Sequence, residues 1–589
     1  MGSSAECACS CGRKRRGGEA VILVRTILLA LSTMGLWEIL RRHFSAHISF
    51  LPSLAAAAQT CILLLGGILG RLPETAWLLF LLGLTAGVYY TVREKGSNLK
   101  SYFRWEYLFL ALSLLFLFFC VQGRVFTHYD NFSHWAQVLR KMLGADRFPD
   151  RNLSVLFEEY PLGSTVFVYD AVRLSGAEGE PAQMLAQGYL LLTCLMPLFQ
   201  WSRRNSWPVF LLLAAASNFL LSYNIPVTEL LVDTLLPLAG MCALLFVYSS
   251  RHQTREAAPF AAVYLIWVLQ IKNAGLFFAL PAGLLFLYEA RKNRRTVRGA
   301  AVLAAGLFSL LIWAVHCRLA FPPAAETAPV PGWASALRDK SPEDIKHIVA
   351  GVFRFSLQWK DLWLFLLLMG FMGICCVFVC RKYLPLFRRA ALLILLLYAA
   401  YQAGLLGMYI FSMPRTHAFY LSSIDRYEKS VLIAMYYVLT ALAAKVFSEE
   451  MEAGSFPRLA ALSLSIGFFL VLWRTDSPRS PADYRPYRIG RYDGLEARTW
   501  LETVIRENSL PEDGDYAILI PEWDSDYFWC LGMYLLPDSD IVVLGDPTEQ
   551  DLDTLTAKQI LIQDPDLPSV RAWIHRHYPD QEGRAVITR

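Results

Sequence analysis

The run HYDNFSHWAQVLRKM, His128 to Met142, sets a carboxylate, Asp130, four residues ahead of an imidazole, His134. On a helix that spacing puts both groups on one face, and such a pair can take a proton from a hydroxyl. The plainer reading makes Asp130 a helix cap, since Asp is favoured there. Glu229 and Asp233 are also four apart, so their carboxylates face one direction, unless Glu229 is simply a solvated interfacial residue. Lys272, in the polar step Gln270, Lys272, Asn273, and Arg426, in SSIDRYEK, are cations beside apolar runs. Ionisable groups at membrane depth are costly and mark functional paths, although long cationic side chains also snorkel to headgroups. Glu158 and Glu159, just before Tyr160 in EEYPLG, add two acids that a solvated loop explains equally well.

These groups have to be held by a bundle in lipid. The chain has 589 residues, 55% hydrophobic and only 18% charged, with a mean hydropathy of +0.37. Soluble domains carry about 25% charged residues, which excludes a soluble multidomain enzyme. Lys and Arg number 55 against 50 Asp and Glu, a balance that offers no footprint for a nucleic acid. A span needs about 20 mostly apolar residues. Such stretches occur at 20–40, 49–70, 76–92, 105–121, 181–200, 207–223, 229–249, 258–271, 274–290, 299–319, 362–380, 390–411, 429–447 and 457–473. They predict a flexible tail at 1–19 and a transmembrane domain at 20–474 with about 13–14 spans. The 258–271 and 274–290 pieces are short and read as a broken pair.

Positive charge sets the sidedness. Arg203, Arg204, Arg251, Arg255, the run Arg291 to Arg298 and the run Arg381 to Arg389 fall on one side, the cytoplasmic one, when every stretch from 181 onward crosses. Loops 122–180, 320–361 and 412–428, with everything after 474, then face outward. Arg13 to Arg16 would also lie outside if all four leading stretches cross, which leaves the N-terminal side open. In the first outward loop Phe132, Trp135, Val138, Leu139, Met142 and Leu143 recur at helical spacing. With Arg140, Lys141 and Arg147 among them, they predict a helix lying flat in the membrane interface.

From about 475 the chain turns polar and Pro-rich. Beyond that, a helix at Leu495–Arg506, the β run YAILIP, a helix at Tyr527–Leu535, the β runs DIVVLG and KQILIQ, a helix at Leu567–Tyr578 and the strand RAVIT follow. Strands alternating with helices predict a small extracytoplasmic α/β domain at 475–589. No glycine-rich loop opens its helices, so no nucleotide cofactor is expected. Most of the twelve Cys sit in apolar runs, as small buried hydrophobes do. Cys7, Cys9 and Cys11 lack further ligands at zinc-site spacing.

HYDNFSHWAQVLRKM, EEYPLGSTVFVY, YNIPVTELLVDTLLPLAG, LQIKNAGLFFALP and SSIDRYEK together resemble, in order along the chain, a group of bacterial, chiefly Gram-positive, polytopic membrane proteins regarded as glycosyltransferases of the GT-C fold. Those proteins usually read Asp-Glu-Phe-Ser-His-Trp in the first stretch and Asp-Tyr-Pro-Pro-Gly in the second. This chain departs from them at Asn131, Glu159 and Leu162. The resemblance implies an α-helical polytopic GT-C-like bundle with interfacial loop helices. It implies a sugar donor on a polyprenyl phosphate and an acceptor that is a cell-surface glycan, lipid or protein. Asp130 would be the general base, with His134 orienting it or the substrate. Glu159, Tyr160, Glu229 and Asp233 would line the sugars, and Lys272 and Arg426 would neutralise the lipid phosphate. Whether a divalent metal takes part stays open, and Asn131 in place of an acid weakens a metal-binding acid pair there.

Two other classes compete with this reading. A flippase or transporter of a lipid-linked saccharide would show paired, interrupted helices in two repeated halves, whereas this chain has one uneven step and an appended domain. A surface-polysaccharide polymerase or ligase would use an outward loop with Arg and His. DIKHIVAGVFRF, with His347 and Arg354, is the candidate for it, against a plain amphipathic helix.

Overall fold

In lipid, backbone N–H and C=O groups find no water, so an apolar run satisfies them by forming a helix. The computed structural model describes residues 4–43, 47–153, 155–202, 207–322, 333–452, 460–468, 486–489, 492–521 and 525–588. Helices α1 (Ser4–His43), α2 (Leu51–Ile68), α3 (Leu72–Arg93) and α4 (Trp105–Val121) lead. After the loop that carries Asp130 come α5 (Ala136–Ala145), α6 (Thr165–Ser175), α7 (Glu180–Leu195), α8 (Trp207–Ser222) and α9 (Leu235–Ser249). Next are α10 (Thr254–Leu269), α11 (Gly275–Lys292), α12 (Thr296–Ala320), α13 (Trp333–Arg338) and α14 (Pro342–Gln358). The bundle ends with α15 (Lys360–Phe378), α16 (Leu384–Phe411), α17 (Arg415–Phe419), α18 (Ile424–Glu452) and α19 (460–468).

Among the described residues, eight helices are long and apolar enough to cross a membrane: α1 from Glu19, α2 with the turn before it, α3, α7 with the turn that follows it, α12, α15, α16 with the turn before it, and α18. Helices α4, α8 and α9 are apolar but shorter. The protein is thus a multi-pass helical membrane protein, with fewer full-length spans than apolar runs. The difference has a local cause. The run 229–249 becomes helical only at Leu235, because 223–234 form the loop that holds Glu229 and Asp233. The 258–271 and 274–290 pair is broken at 270–274, between α10 and α11. Helix α1 starts at Ser4, inside the stretch expected as a tail. The run 457–473 is described only over 460–468, and the Pro-rich start of the tail domain, to residue 485, lies outside the described residues.

Helices α9 and α18 are almost wholly buried, whereas α12 exposes Leu307, Phe308 and Leu311, and α16 exposes Leu392, Leu395 and Leu396. Apolar faces of this extent suit lipid rather than water. Helices α1 and α3 approach through small residues: a Cβ on Gly83 would lie 2.4 Å from the Ser32 carbonyl oxygen. Ser32 Oγ donates to the Phe80 carbonyl at 2.7 Å. Close backbone approach is how helices gain packing where no hydrophobic drive acts between them.

The segment expected to lie flat on lipid is instead enclosed by protein. Phe132, Trp135, Val138, Leu139 and Met142 are all buried. The cover is α6 over α5 and the C-terminal domain over Phe132, and the domain's Met533 carbonyl accepts from Gln137 at 3.2 Å. An apolar helix face buries against whichever apolar surface the fold supplies, and here it is the bundle and a second domain.

That domain starts with a short antiparallel pair, β1 (Arg488–Ile489) and β2 (Tyr492–Asp493), then α20 (Gly494–Glu507). Strands β3 (Asp515–Ile520), β4 (Asp540–Gly545), β5 (Gln559–Ile562) and β6 (Val586–Thr588) form a sheet of order β4-β3-β5-β6. β3 pairs in parallel with both neighbours and β6 closes the edge antiparallel. Helices α21 (Ser525–Leu535), α22 (Glu549–Asp553) and α23 (Pro568–His577) connect them. Alternation along β3 sorts two cores: Ala517 and Leu519 pack with Val570, Trp573 and Ile574, while Tyr516, Ile518 and Ile520 join the core shared with Phe132 and the bundle.

Gly83→Ala should force α1 from α3 at a cost of about 1–3 kcal/mol, the range for overpacking. Gly370→Ala, with open space around the added methyl, is the control. Thermal melting of the purified protein in detergent checks this; a Gly83→Ala melt equal to wild type would remove the close approach as a source of stability.

Candidate functional site

Asp130 immediately precedes one turn of π-helix, Asn131–Trp135, that leads into α5. Asp233 lies two residues before α9, Lys272 three before α11, and Arg426 in the first turn of α18. The fold brings these four helix N-termini together, and their side chains form a row of alternating charge. Arg426 Nη1 donates to Asp130 Oδ2 at 2.6 Å, and its Nε lies 3.9 Å from Asp233 Oδ1. Lys272 Nζ donates to the same Asp233 oxygen at 3.1 Å. Asp233 is 4% exposed, Arg426 and Lys272 15% each, and Asp130 24%, so the row opens outward at the Asp130 end.

Each residue is placed by an identifiable contact. Asn224 on the α8–α9 loop donates to the Arg426 carbonyl at 3.0 Å, and Ser430 Oγ donates to the Asp233 carbonyl at 3.0 Å, tying that loop to α18. Lys272 sits in the break, where the Gln270 carbonyl accepts from Gly163 N–H at 2.6 Å. A Cβ on Gly163 would lie 2.3 Å from that oxygen, so only glycine lets the YPLG turn dock there. The docking brings Tyr160 within electrostatic reach of Lys272 and Asp130. Asp130 N–H donates to His128 Nδ1 at 3.0 Å. Asn131 spans the gap to the next loop: its amide donates to Glu229 Oε2, and its Oδ1 accepts from Leu230 N–H at 3.1 Å. Thr127 Oγ1 also donates to Glu229, at 2.8 Å.

The electrostatics separate the acids. Burial would raise the Asp233 carboxyl, but the Lys272 and Arg426 charges override it and hold it down near 2. Burial alone would lower Lys272, and Asp233 holds it above its ordinary value. For Glu229 burial dominates and pushes the carboxyl up to about 8, against the pull of its donors. Glu229 is therefore a hydrogen-bonded strap at neutral pH, not a charged ligand. Acids stabilise helix N-termini and cations do not, so Lys272 and Arg426 stand at the unfavourable ends of α11 and α18. Four positive helix ends and two cations make a place for an anion beyond the two carboxylates already there.

Of the residues singled out from the sequence, Asp130, Asp233, Lys272 and Arg426 meet. Tyr160 lies beside them, and Glu229 is one strap away. Glu159 does not join: its side chain is exposed and, among the described residues, makes no hydrogen bond or ion pair, while its carbonyl accepts from Trp313 Nε1 at 3.0 Å. His134 makes no hydrogen bond to Asp130 among the described residues, but it lies within electrostatic reach of Asp130 and Lys272. It is 2% exposed and packs edge-on against Trp135, Phe157 and Tyr160, and among the described residues neither ring nitrogen has a hydrogen-bond partner. The π turn alters the register that i, i+4 spacing assumes, and His128 takes the place beside Asp130. The cavity against His134, lined by Glu158, Tyr160 and His316 among others, is about 10 Å³, room for one water at most. His347 stacks on Phe419 at 4.3 Å on the amphipathic α14, whose Ile348 and Val352 are buried.

Among the described residues, no group of three or more His, Cys, Asp and Glu could hold a metal ion. Asp130 and Asp233 are bridged by Arg426, so this pair is already neutralised by a protein cation. Sequence reasoning passed over His128 and Thr127, whose signal was only their nearness to Asp130, and gave Asn131 no bonding role. No family model and no curated protein matches this chain.

Burial pulls the His134 imidazole down to about 4, below its unfolded value of about 6.5. The unfolded chain then binds the proton first as pH falls, so stability is lost from about 6.5 down to 4 and is unaffected above 6.5. Between pH 7.5 and 5.5 this is about 1 kcal/mol. His134→Phe, which fills the aromatic box without nitrogens, should flatten that part of the melting temperature's acid slope. Equal slopes for variant and wild type would rule out a buried neutral imidazole.

Proposed function

We propose that the chain is a membrane glycosyltransferase that moves a sugar from a polyprenyl-phosphate donor to an extracytoplasmic acceptor, a cell-surface glycan, lipid or protein. The observation that carries this reading is the row Asp130–Arg426–Asp233–Lys272: a partly exposed carboxylate joined to two cations at converging helix N-termini. The cations, with the GT-C-like order of motifs, fit the phosphate of a lipid-linked donor, and the carboxylate fits a base for the acceptor hydroxyl.

Chemistry follows from the charges. A phosphate oxygen competes with Asp130 for Arg426, whose planar fork binds phosphate and carboxylate alike. Lys272, bonded among the described residues only to Asp233, keeps N–H donors for the same phosphate. Arg426 drawn to the donor leaves Asp130 free to accept a proton. The acceptor oxygen attacks the anomeric carbon as the sugar–phosphate C–O bond breaks. The electron pair of that bond leaves on the phosphate, which Arg426 and Lys272 neutralise, and the hydroxyl proton goes to Asp130. Such one-step displacement inverts the anomeric centre. Charges held in place before the reaction remove much of its barrier, and a positioned base adds about 10²–10⁴-fold.

A partly exposed carboxylate joined to the cations favours an enzyme over a flippase, because transfer needs a base for the acceptor hydroxyl and transport does not.

The test supplies purified protein in lipid with a labelled polyprenyl-phosphate sugar and candidate acceptors. Asp130→Asn should cut turnover at least about 10²-fold with donor binding retained. Arg426→Ala should raise the donor KM more than the acceptor KM. Turnover that survives Asp130→Asn sinks the base, and labelled lipid crossing the bilayer without transfer favours the flippase.

A further inference from the structure

The C-terminal domain holds the backbone just before Asp130 and packs on the Phe132 ring just after it. Arg498 on α20 is 6% exposed and lays its fork across Glu180, at 2.8 Å from Nη2 and 3.0 Å from Nη1. The same Nη1 donates to the Phe126 carbonyl at 2.9 Å, and Phe126 N–H donates to Glu180 at 2.7 Å. One residue on, the Tyr527 hydroxyl of α21 donates to the Thr127 carbonyl at 2.8 Å, and Tyr487 N–H donates to Thr127 Oγ1 at 3.0 Å. The Tyr487 ring packs 4.3 Å from His128, the imidazole that receives Asp130 N–H. Beyond Asp130, the Phe132 ring sits against Tyr527 and Tyr534 at 5.7 and 5.2 Å.

Thr127 is the shared link. Its carbonyl and hydroxyl face the domain, while its N–H and hydroxyl hydrogen reach Glu229 on the bundle. Segment 126–130 is thus held from two sides, by Glu180, Glu229 and Arg426 of the bundle and by Arg498, Tyr527 and Tyr487 of the domain. Glu180, at the start of α7, is committed to Arg498, Tyr534 and Phe126.

We infer that the C-terminal domain is the positioning element for Asp130: Arg498 and Tyr527 lock segment 126–131 so that the Asp130 carboxylate stays aimed at Arg426, and loosening the domain uncouples the two. Arg498 and Tyr527 are positioning residues, since neither touches the row. The lock stands on contacts alone; its effect on transfer rests on the role of Asp130 proposed above. Misplacing a reacting group by about 1 Å costs on the order of 10²-fold in rate, so a small shift of this segment is enough.

The test uses the full chain in lipid nanodiscs with Arg498→Ala, Arg498→Lys and Tyr527→Phe. Tyr527→Phe keeps the ring and removes one hydrogen bond, which guards against a variant that merely fails to fold. Hydrogen exchange of the 126–131 amides should quicken about 10-fold or more in Arg498→Ala and several-fold in Tyr527→Phe, with α9 and α18 unchanged. Arg498→Lys keeps the charge without the fork and should fall between. In the transfer assay, kcat should drop in the same order while the donor KM stays within about twofold of wild type. Unchanged exchange at 126–131 overturns the lock, and quickened exchange with unchanged kcat overturns the positioning role. If the wild type transfers no sugar, the functional reading fails by itself. The lock is then judged by exchange and by carbodiimide labelling of Asp130, which should rise in the variants; no rise overturns it.

Discussion

Two acids and two cations share a small, partly buried volume at the helix ends, and the rest of the structure is arranged to make that tolerable. Removing charges from water costs several kcal/mol per ion, and only close, well-bonded partners offset it. Asp233, nearly inaccessible, depends on Lys272 and Arg426 together. Taking away either cation leaves an uncompensated buried carboxylate, and taking away Asp233 leaves two cations facing each other at positive helix ends. The row therefore demands that α9, α11, α18 and the Asp130 turn arrive at one place. The broken α10–α11 pair and the late start of α9 are what deliver Lys272 and Asp233 there.

This constraint also accounts for the non-helical pieces. A continuous helix through 258–290 would have carried Lys272 into the packed bundle with no partner, and a helix starting at 229 would have turned Glu229 and Asp233 to one face. Instead they divide: Asp233 joins the cations, and Glu229 turns to Thr127 and Asn131. An amide rather than an acid at Asn131 has a structural reason in this chain. Its nitrogen donates to Glu229 and its carbonyl oxygen takes Leu230 N–H. A carboxylate there would face a second carboxyl and lose its donor.

Parts of this were legible in the residues and parts were not. The strands and helices of the C-terminal domain follow from alternation and turn residues, and the observed β3, β4, β5 and β6 fall where those patterns put them. The polar step at 270–274 stood out because a Lys interrupts an apolar run. The i, i+4 arithmetic for Asp130 and His134 assumes an α-helix, and the backbone here makes a π turn, so His134 faces an aromatic box while His128 stands next to Asp130. The amphipathic stretch 132–143 has the pattern of a lipid-facing helix, and a pattern cannot tell lipid from protein as the apolar partner. For Glu159 a solvated loop and a site role read equally well from the sequence, and its side chain is exposed and, among the described residues, unpaired.

By itself the sequence determined that the chain is a helix bundle in lipid followed by a small α/β domain, because hydropathy, helical period and strand alternation are properties of neighbouring residues. It also marked which ionisable groups sit beside apolar runs and so need a partner. Which partner each one has was decided only by tertiary structure. Asp130 and Arg426 are 296 positions apart, and Thr127 and Tyr527 are 400 apart. Contacts at such separations depend on how whole helices pack and on how one domain seats upon another, and no local pattern encodes that.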